Sequence, residues 1–474
     1  MIDMTMSPAR DLGAHPSARQ IPAGQEWNDA YDDGPVRLRR KAADAVVWAG
    51  AIAVGVVVGL WTLTLSSASW ASPAALAVAI ADLSGLVGVA LLLGSVLLVS
   101  RITALERVVG LDKLTAWHRK LAPYGAYLIT VHVVLSIIGY GGQGGKSFLP
   151  QAWQFVTGWQ SMLPAYGGFF LLIGAGITSW RYARRRFTYE TWWVVHLYTY
   201  LAIGLSLLHQ INDGTSFAGH TLVRYGWIGV HLAVLAAILL WRVGLPIYRS
   251  VRHDLRVESV QREAAGSFSL VLRGRRLSQL PLQGGQFIHL RIGRRGLWWQ
   301  AHPYSVSGLP WNDRMRFTIS DSGDYAREIM RTAPGTRVLI EGPYGAFTTA
   351  SAQAGRPLLL VAGGVGVTPI RTILDELPAG SRPVVIYRSP DQAEVMFREE
   401  LEALVAARGG VLHVLAGRRD QYPIDAPRLY QAVPDIRDRE VFVCGNDSLV
   451  AAVRRAVTQC GVPGERFHAE EFAW

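Results

Sequence analysis

Four histidines occur in pairs inside two apolar segments, His118 with His132 and His196 with His209. A neutral imidazole inside a lipid bilayer is costly and usually has a functional partner. The 14-residue spacing of the first two places their rings roughly 21 Å apart along a helix and within roughly 40° of one face. This pattern predicts two separate sites at two depths of a membrane.

The second spacing, 13 residues, fits this geometry less well. An ideal helix would place His196 and His209 about 140° apart, so tilt or a local wide turn must absorb the difference. Histidine is a common axial ligand of haem iron, and two helices that each offer two imidazoles could hold two stacked haems. The alternative is four histidines in hydrogen bonds inside a helix bundle. The nearly matched spacings favour haem ligation.

The elements that position these histidines are apolar segments of membrane-spanning length, the fourth of them short. Six such segments are predicted, at 44–66, 75–99, 117–138, 165–180, 191–209 and 222–243. Together they form a predicted transmembrane haem domain over 44–245. Residues 1–43 are polar and rich in Pro, Gly, Asp and Arg, which predicts a disordered cytoplasmic tail.

Charge orients these segments and excludes one class of partner. The net charge is +11, and many arginines flank alternate ends of the apolar segments, so nucleic-acid binding is not expected. By the positive-inside rule both termini of this multi-pass protein of the cell membrane are cytoplasmic. His118 and His196 then share a depth near the cytoplasm, and His132 and His209 share one near the outer face.

The second half of the chain has a different pattern. β-branched, alternating stretches over 250–350 predict a small antiparallel β-barrel, and strands alternating with helices over 355–474 predict a parallel α/β sheet. The two cysteines, Cys444 and Cys460, provide neither a disulfide framework nor ligands for an iron–sulfur cluster.

A motif that suits flavin lies between two predicted strands, at His302-Pro303-Tyr304-Ser305. An aromatic ring followed by a hydroxyl at a strand end can lie along a flavin ring and hydrogen-bond its edge, while a nearby histidine meets phosphate or ribose. The alternative is an edge strand after a turn proline. The segments Phe317–Ser320, Gly323–Tyr325 and Gly342–Gly345 follow at fitting distances and favour the flavin interpretation.

Two strand ends suit a dinucleotide. LLLVAGGVGVTP runs from a buried strand into glycines that let a pyrophosphate approach the backbone, and a helix N-terminus that favours an anion follows. In VFVCGND, Cys444 ends another strand where a nicotinamide would need a close neighbour; the alternative is a small buried hydrophobe. The terminal Trp474 can cover a flavin face or simply pack.

With these motifs, the second half resembles the ferredoxin–NADP reductase family, and the chain from about 44 to 474 resembles the transmembrane ferric reductase and NADPH oxidase superfamily. The resemblance is carried jointly by the paired histidines, HPYS, GGVGVTP, CGN and the aromatic terminus. It implies a six-helix α-helical membrane bundle, then an antiparallel β-barrel FAD domain at 250–350 and an α/β NAD(P)H-binding domain at 355–474.

The resemblance also assigns roles to residues. His118 with His196 would hold an inner haem b, and His132 with His209 an outer one. The implied FAD contacts are His302, Pro303, Tyr304, Ser305, Thr318 and Ile319; the implied phosphate contacts are Gly364, Gly366, Thr368 and Pro369; and Cys444 and Gly445 would border the nicotinamide. Ser305, Cys444 and Trp474 are the expected catalytic residues. Arg388 and Arg418 could pair a 2′-phosphate and so favour NADPH over NADH, or be solvated surface arginines.

Three departures from the family pattern bear on function. A GDWT-like segment is here Gly323-Asp324-Tyr325-Ala326, which loses a hydroxyl expected to face the flavin pyrophosphate, and CGP is here CGN. Oxygen-reducing members have a basic residue near the outer haem, whereas the second apolar segment begins SPAALAVAIADL without Arg or Lys. The absence of this basic residue argues against a superoxide-forming activity.

The sequence therefore predicts an NAD(P)H-dependent flavohaem oxidoreductase of a lipid bilayer. Hydride would pass to FAD and single electrons through two haems to an outer acceptor, because nicotinamide donates two electrons at once and haem iron takes one. A ferric chelate, dioxygen, a quinone and a partner protein all stay open as acceptors, and the sequence leaves the oligomeric state open. The alternative is a cytoplasmic flavin reductase tethered by a bundle with structural histidines.

Overall fold

The computed structural model describes residues 34–217, 220–418 and 420–471. The chain divides into two compact units: a helical unit, Lys41–Arg242, and a sheet unit that contains the residues from Val243 onward and is grouped with those before Lys41. Each unit is described by itself below.

The helical unit is built from long apolar helices. Its helices are α1 (Gly34–Thr62), α2 (Pro73–Leu98), α3 (Thr103–Val109), α4 (Leu111–Gln143), α5 (Phe148–Gly158), α6 (Met162–Ser179), α7 (Arg181–Arg184), α8 (Tyr189–Asp213) and α9 (Thr221–Ala237). A π-helical stretch, Ile238–Gly244, continues α9 into α10 (Leu245–His253). Among the described residues, six helical stretches are long and apolar enough to cross a membrane, which confirms the predicted six spans.

The first helix begins earlier than expected. α1 starts at Gly34, so residues 34–43 of the predicted disordered tail are helical. Pro35 lies in its first turn, where the missing N–H is tolerated, and the arginines, Lys41 and alanines that follow are good helix formers. Residues 1–33 of the predicted tail lie outside the described residues.

A short helix, α5, occupies part of the connection 139–163. Gln151 and Phe155 are buried, one turn apart, on the same face of α5. The Phe155 ring packs edge-on against Tyr140, at a centroid distance of 5.6 Å, and against Trp159, at 5.7 Å. These aromatic contacts give the connection its own small core.

Close approach of α2 and α4 positions the histidines of α4. A Cβ at Gly88 would lie 3.2 Å from the Gly125 carbonyl oxygen, and a Cβ at Gly125 would lie 3.2 Å from the Gly88 carbonyl oxygen. Small residues that let two backbones approach are typical of helix pairs in membranes. α6 packs along α8 in the same unit.

The sheet unit begins with an antiparallel sheet whose strand order is β1-β2-β5-β4-β3-β6. The strands are β1 (Arg256–Ala264), β2 (Ser267–Arg273), β3 (Phe287–Ile292), β4 (His302–Trp311), β5 (Arg314–Ser320) and β6 (Val338–Tyr344). The two edge strands meet, because a bridge joins Arg256 to Arg337 and the Val338 N–H donates to the Leu255 carbonyl at 2.8 Å. α11 (Asp324–Met330) packs against the resulting apolar core.

The second sheet is parallel throughout, with strand order β11-β10-β7-β8-β9. Its elements are β7 (Leu358–Gly363), α12 (Val367–Glu376), β8 (Val384–Ser389), α13 (Arg398–Ala406), β9 (Val411–Ala416), α14 (Ala426–Ala432), β10 (Glu440–Gly445), α15 (Asp447–Gln459) and β11 (Phe467–Glu471). The chain leaves β7 in one direction and returns to β10 on its other side. This reversal creates the crevice in which such sheets bind ligands.

The two sheets are fixed to each other by polar contacts. The Gly285 N–H donates to Thr372 Oγ1 of α12 at 2.9 Å. Arg316 on β5 makes two 2.8 Å hydrogen bonds to the Glu400 carboxylate on α13, and Arg371 Nε on α12 donates to the same carboxylate at 2.8 Å. The antiparallel and parallel sheets therefore share one ion-pair network.

Candidate functional site

The helical unit brings the four histidines together in two pairs across α4 and α8. In the first pair, His118 and His196, the ring centroids are 6.1 Å apart; in the second pair, His132 and His209, they are 6.2 Å apart. The unequal sequence spacings therefore do not prevent either pair from facing across the two helices. The two ring separations differ by only 0.1 Å.

These distances suit an ion held between the two rings. A histidine nitrogen lies about 2.0–2.1 Å from a bound transition metal and roughly 1.1 Å from the centre of its own ring, which gives two axial histidines a centroid separation of about 6.3 Å. A direct hydrogen bond between two imidazoles would bring the centroids closer to about 5 Å, from a nitrogen-to-nitrogen distance of about 3 Å. The observed spacing leaves room for one metal ion in each pair.

Hydrogen bonds to main-chain carbonyls set the orientation of the two rings on α4. His118 Nδ1 lies 3.0 Å from the Ser95 carbonyl oxygen, and His132 Nδ1 lies 2.8 Å from the Ala81 carbonyl oxygen. A carbonyl can only accept, so each Nδ1 donates, and in the neutral form of each ring the lone pair is on Nε2. Metal-bound histidines in proteins are held in this way by their second nitrogen.

The rings on α8 have side-chain partners. His196 Nδ1 lies 3.3 Å from Ser179 Oγ, which also accepts a 3.1 Å hydrogen bond from the indole N–H of Trp192. His209 Nδ1 lies 3.3 Å from the Asp213 carboxylate. A hydroxyl has two acceptor positions and a carboxylate accepts only, so both partners are compatible with Nε2 as the ligating atom.

A cavity of 1330 Å³, measured with its opening to solvent, surrounds the second pair. Its walls are mostly apolar and include Ile129, Val133, Phe169 and Leu172. A Cβ at Gly85 would lie 2.7 Å from His132 Nδ1, so the absence of a side chain at this position on α2 leaves room for the ring. The cavity suits a large, flat, apolar group held by two imidazoles.

Within the described residues, no group of three or more His, Cys, Asp or Glu side chains could hold a metal ion. A metal bound by protein atoms alone would need such a group, since structural zinc sites take four protein ligands and catalytic ones three. Haem differs, because the porphyrin supplies four nitrogens and the protein supplies only the axial ligands. Two imidazoles per site fit haem and do not fit a bare ion.

The predicted flavin motif lies on β4. Tyr304 and Ser305 are buried, and among the described residues Ser305 Oγ has no hydrogen-bond partner. Burial raises the pKa of the Tyr304 phenol, which therefore stays protonated. The His302 ring contacts the Tyr325 ring at a centroid distance of 3.9 Å. A buried hydroxyl with an unused donor fits a flavin edge, because such groups normally have a partner.

Two other predicted FAD contacts point elsewhere. Thr318 is buried, and its hydroxyl makes 2.8 Å hydrogen bonds to Ser269 and Ser307, while Ile319 belongs to the core of the antiparallel sheet. Their side chains are engaged within the protein, which leaves the main chain of β5 as the group available to a ligand. Their role in FAD binding stays a prediction.

The glycines after β7 meet the end of β10 at the crevice of the parallel sheet. A Cβ at Gly366 would overlap the Cys444 carbonyl oxygen, so glycine is required by close packing. Gly364 has a φ of +54°, a backbone conformation that glycine adopts without strain. Thr368 Oγ1 donates to the Val365 carbonyl at 2.9 Å and caps this turn. The turn therefore offers backbone rather than the Thr368 hydroxyl to a pyrophosphate.

Cys444 is completely buried. Burial raises the pKa of its thiol, and the nearby Glu470 carboxylate raises it further. A protonated thiol is neither a nucleophile nor a base, so Cys444 can act only as a small neighbour of a bound nicotinamide. Gly445 is packed against Leu449, with a Cβ at that position 2.8 Å from the leucine side chain.

The two predicted phosphate-binding arginines lie at the ends of adjacent strands. Arg388 lies near the end of β8, where its guanidinium donates to the Tyr422 carbonyl. Arg418 lies just after β9; its side chain is 81% exposed and pairs with Asp420 at 3.3 Å. Both are at the carboxyl edge of the parallel sheet. Trp474 lies outside the described residues.

Three polar residues of the helical unit were not singled out from the sequence. Asp213 is the last residue of α8 and contacts His209. Asp82, inside the apolar α2, accepts a 2.8 Å hydrogen bond from Thr215, and an ionisable residue in a membrane span is itself a functional signal. His231 on α9 is also buried, with Nδ1 3.0 Å from the Trp227 carbonyl of its own helix.

Three family models match the chain in succession. A model described as ferric reductase like transmembrane component matches residues 84–207, one described as FAD-binding domain matches 256–348, and one described as oxidoreductase NAD-binding domain matches 360–455. The first range contains both histidine pairs apart from His209. The second contains β1–β6, and the third contains the glycine turn and the end of β10.

Individual proteins match smaller parts. An NADPH oxidoreductase of Mycobacterium tuberculosis is 27% identical over 227 residues, covering 46% of this chain and 59% of that protein. A ferredoxin–NADP reductase B of Sorangium cellulosum is 28% identical over 213 residues, covering 41% of this chain and 81% of that protein. The FAD/NAD-binding domain of a nitric oxide dioxygenase from Vibrio cholerae covers 47% of this chain and 99% of its own, at 22% identity and a TM-score of 0.38.

The first two curated relatives are spanned over only 59% and 56% of their length, so the three domain matches and the fold, rather than any one relative, decide the assignment. Six helices long and apolar enough to cross a membrane, together with the ferric reductase-like match, support a multi-pass membrane protein, and the part that follows matches families of FAD-binding and oxidoreductase NAD-binding domains. The chain has the architecture of the transmembrane ferric reductase and NADPH oxidase superfamily, a ferric reductase-like membrane domain fused to a ferredoxin–NADP reductase-type FAD and NAD(P)H module.

Proposed function

We propose that this protein transfers electrons across the membrane, from NAD(P)H on the cytoplasmic side through FAD and two bis-histidine haems b to an acceptor at the outer face. The acceptor that we propose is a ferric chelate or dioxygen. The NAD(P)H and FAD part of this route follows from the domain architecture. The haems, the direction and the acceptor are the proposal.

The observation that carries the proposal is the matched geometry of the two histidine pairs. Both pairs have ring separations suited to one metal ion, 6.1 and 6.2 Å. Each of the four Nδ1 atoms has an acceptor that leaves Nε2 available. Buried structural histidines also find hydrogen-bond partners, as His231 does, but they have no physical reason to face each other in two pairs at one metal-sized separation, whereas two haems held by paired histidines do.

In the sheet unit, the proposed roles follow the contacts described above. The Ser305 hydroxyl would hydrogen-bond the flavin edge, Tyr304 would lie along the ring, and His302 would meet phosphate or ribose. When bound, FAD accepts two electrons together from nicotinamide and releases them singly, which haem iron requires. Gly366 and Cys444 would border the nicotinamide by close backbone packing.

The remaining assigned residues complete the nucleotide site. Pro303, Thr318 and Ile319 would support FAD through β4 and β5. Gly364 would let the pyrophosphate approach the turn that Thr368 and Pro369 begin. Arg388 and Arg418 would pair a 2′-phosphate and favour NADPH, since guanidinium groups bind phosphate with two parallel hydrogen bonds.

The direction of transfer rests on charge. Basic residues flank the cytoplasmic ends in the proposed orientation, with Arg101 and Lys113 beside α3 and Arg184 in α7. The positive-inside rule then puts both termini in the cytoplasm and the second pair near the outer face. The first pair would receive electrons from FAD, and the second pair would deliver them.

The proposal is tested by an anaerobic absorbance spectrum of the detergent-purified full chain, followed by one addition of NADPH. We expect haem bands in the oxidised protein that shift to the reduced form with NADPH. Air and a ferric chelate are then added to separate samples, and the faster reoxidant identifies the preferred acceptor. A spectrum with flavin bands alone would exclude the haems and leave a membrane-tethered flavin reductase.

A further inference from the structure

The two histidine pairs differ in one partner. In the first pair, the Nδ1 atoms face a carbonyl, from Ser95, and a hydroxyl, from Ser179. In the second pair, they face a carbonyl, from Ala81, and a carboxylate, from Asp213. Three of the four partners are therefore neutral amide or hydroxyl groups, and the one carboxyl group among them, from Asp213, is on the second pair.

Asp213 occupies an unfavourable place for a carboxylate. It is the last residue of α8, and a negative charge at a helix C-terminus is opposed by the helix dipole. Its side chain is only 17% exposed, and that of His209 only 19%. A position that costs stability in this way needs another cause, and the contact with His209 one turn earlier provides it.

The turn after α8 is built to hold this contact. The Gly214 N–H donates to the Gln210 carbonyl at 3.2 Å, and a Cβ at Gly214 would collide with the same carbonyl. The Thr215 hydroxyl then donates to Asp82 on α2 at 2.8 Å. The chain on both sides of Asp213 is thus fixed.

The same part of α2 serves both members of the second pair. The carbonyl of Ala81 holds His132, and the side chain of the next residue, Asp82, anchors the turn that carries Asp213. Two neighbouring residues of one helix therefore position both rings. In the first pair, Ser95 on α2 and Ser179 at the end of α6 do so separately.

We infer that Asp213 is a positioning residue that strengthens His209 as an axial ligand and lowers the reduction potential of the haem at the second pair relative to that at the first. This inference rests on the proposed function. A carboxylate that accepts the Nδ1 proton increases the basicity of the ligating nitrogen. A more basic ligand stabilises the ferric state, which carries one more positive charge than the ferrous state, and so makes this haem the stronger one-electron donor to the outer acceptor.

The test is a potentiometric titration of the purified full chain, followed by the haem absorbance at constant pH, for the wild type and Asp213→Asn. Asparagine can still accept a hydrogen bond but carries no charge. We expect one of two haem steps to move to higher potential, with a roughly tenfold change in its ratio of oxidised to reduced haem at a fixed potential, equivalent to about 59 mV for one electron. The other step stays in place.

Two variants provide the controls. Asn212→Ala removes an exposed side chain of the same turn, whose amide donates to Ser161 Oγ at 3.0 Å, and it leaves both steps unchanged. Ser179→Ala removes the neutral partner of His196, so it moves the other step and by less. If Asp213→Asn moves one titration step and Ser179→Ala moves the other, each potential is assigned to its histidine pair.

The outcomes separate this inference from the function it rests on. A wild type without haem overturns both. Suppose that the wild type binds two haems. If Asp213→Asn then leaves both potentials unchanged, or moves both equally, the role of Asp213 is overturned and the proposed function stands. If Asp213→Asn loses a haem, Asp213→Glu decides: wild-type potentials in that variant support the carboxylate, and a raised potential overturns it.

Discussion

The helical unit and the sheet unit hold their candidate sites by different means. In the helical unit, side chains form the site: four imidazole rings are oriented by hydrogen bonds from their Nδ1 atoms to groups on neighbouring turns and helices. In the sheet unit, the backbone does so: Gly366 lies against the Cys444 carbonyl too closely for any side chain. The first kind of site should fail when an imidazole is removed, and the second when a single methyl group is added.

The largest effect is expected for loss of an imidazole. His132→Ala should remove one haem of two, because the remaining ring of the second pair has no partner across the cavity. Haem per chain, measured by the pyridine haemochrome absorbance, should fall by half, and reduction of external acceptors should stop. FAD content and flavin reduction by NADPH should be unchanged.

The matched control is His231→Leu. His231 is another buried histidine of a spanning helix, but its Nδ1 bonds within its own helix, and its described ring contact is with Trp227. Its replacement should leave two haems per chain. If both variants lose haem to the same extent, the pairs are not the ligands and the loss reports folding.

A smaller but specific effect is expected for one methyl group at the nucleotide edge. In Gly366→Ala the new Cβ would overlap the Cys444 carbonyl, which must move together with Gly445. Overpacking of this kind costs about 1–3 kcal/mol, equivalent to a rise of roughly 5- to 150-fold in the KM for NADPH if the strain opposes binding. Steady-state reduction of a soluble dye by the full chain measures it.

Gly464→Ala is the control for this substitution, because a Cβ at Gly464 meets nothing within 4 Å. Its KM should match that of the wild type. The number of haems should be two in both variants, since the substitutions lie in the other unit. An unchanged KM in Gly366→Ala would show that the nicotinamide does not depend on this edge.

A milder change sharpens the comparison within the helical unit. In Gly85→Ala the new Cβ would lie 2.7 Å from His132 Nδ1, so the ring must turn and its 2.8 Å contact with the Ala81 carbonyl must weaken. Loss of such a partner typically lowers metal affinity about 10- to 100-fold. We expect a more readily lost haem at the second pair only, measured by haem transfer to apomyoglobin.

Gly94→Ala on the same helix controls for the general effect of alanine, since a Cβ at Gly94 meets nothing within 4 Å. It adds only the helix propensity of alanine, about 1 kcal/mol, and should leave haem transfer unchanged. Equal rates of haem loss in the two variants would contradict the role of Gly85 in leaving room for His132.

The fold was predictable from the sequence to a large extent. Six spans, an antiparallel sheet and a parallel sheet follow from segment length and hydrophobic period, which local sequence controls. The helix α5 could not be predicted in this way, because its core consists of ring contacts with Tyr140 and Trp159 that form only in the folded connection. The start of α1 at Gly34 was missed for a related reason, since a polar composition does not exclude a helix that continues into a membrane span.

The part of the candidate site that depends on the sequence spacing of residues was predictable. The histidines were identifiable by number, but their partners were not, because Ser95, Ser179 and Ala81 are ordinary residues whose role depends on which helix lies beside them. Thr318 illustrates the converse. Period-2 alternation predicts that it faces one side of a strand, but not that its hydroxyl would be used by Ser269 and Ser307.

The smallest effect concerns the contact between the two sheets and depends on pH. Burial alone would raise the pKa of Glu400, but hydrogen bonds and charge from Arg316 and Arg371 lower it to about 2. A carboxyl whose pKa is lower in the folded than in the unfolded protein stabilises the fold at neutral pH and loses that contribution as the pH falls from about 4.5 towards 2. The side chain is 32% exposed, so solvent screening reduces the contribution to about 1 kcal/mol.

Glu400→Gln should therefore lower the temperature at which bound FAD is released at pH 7 by a few degrees, and the difference from the wild type should shrink between pH 4.5 and pH 3. Glu399→Gln changes the same charge on the adjacent, exposed residue of α13 and should behave as the wild type at both pH values. Neither variant should alter haem content, because the network lies wholly within the sheet unit. A pH-independent difference for Glu400→Gln would mean that packing of the side chain, rather than its charge between two arginines, joins the two sheets.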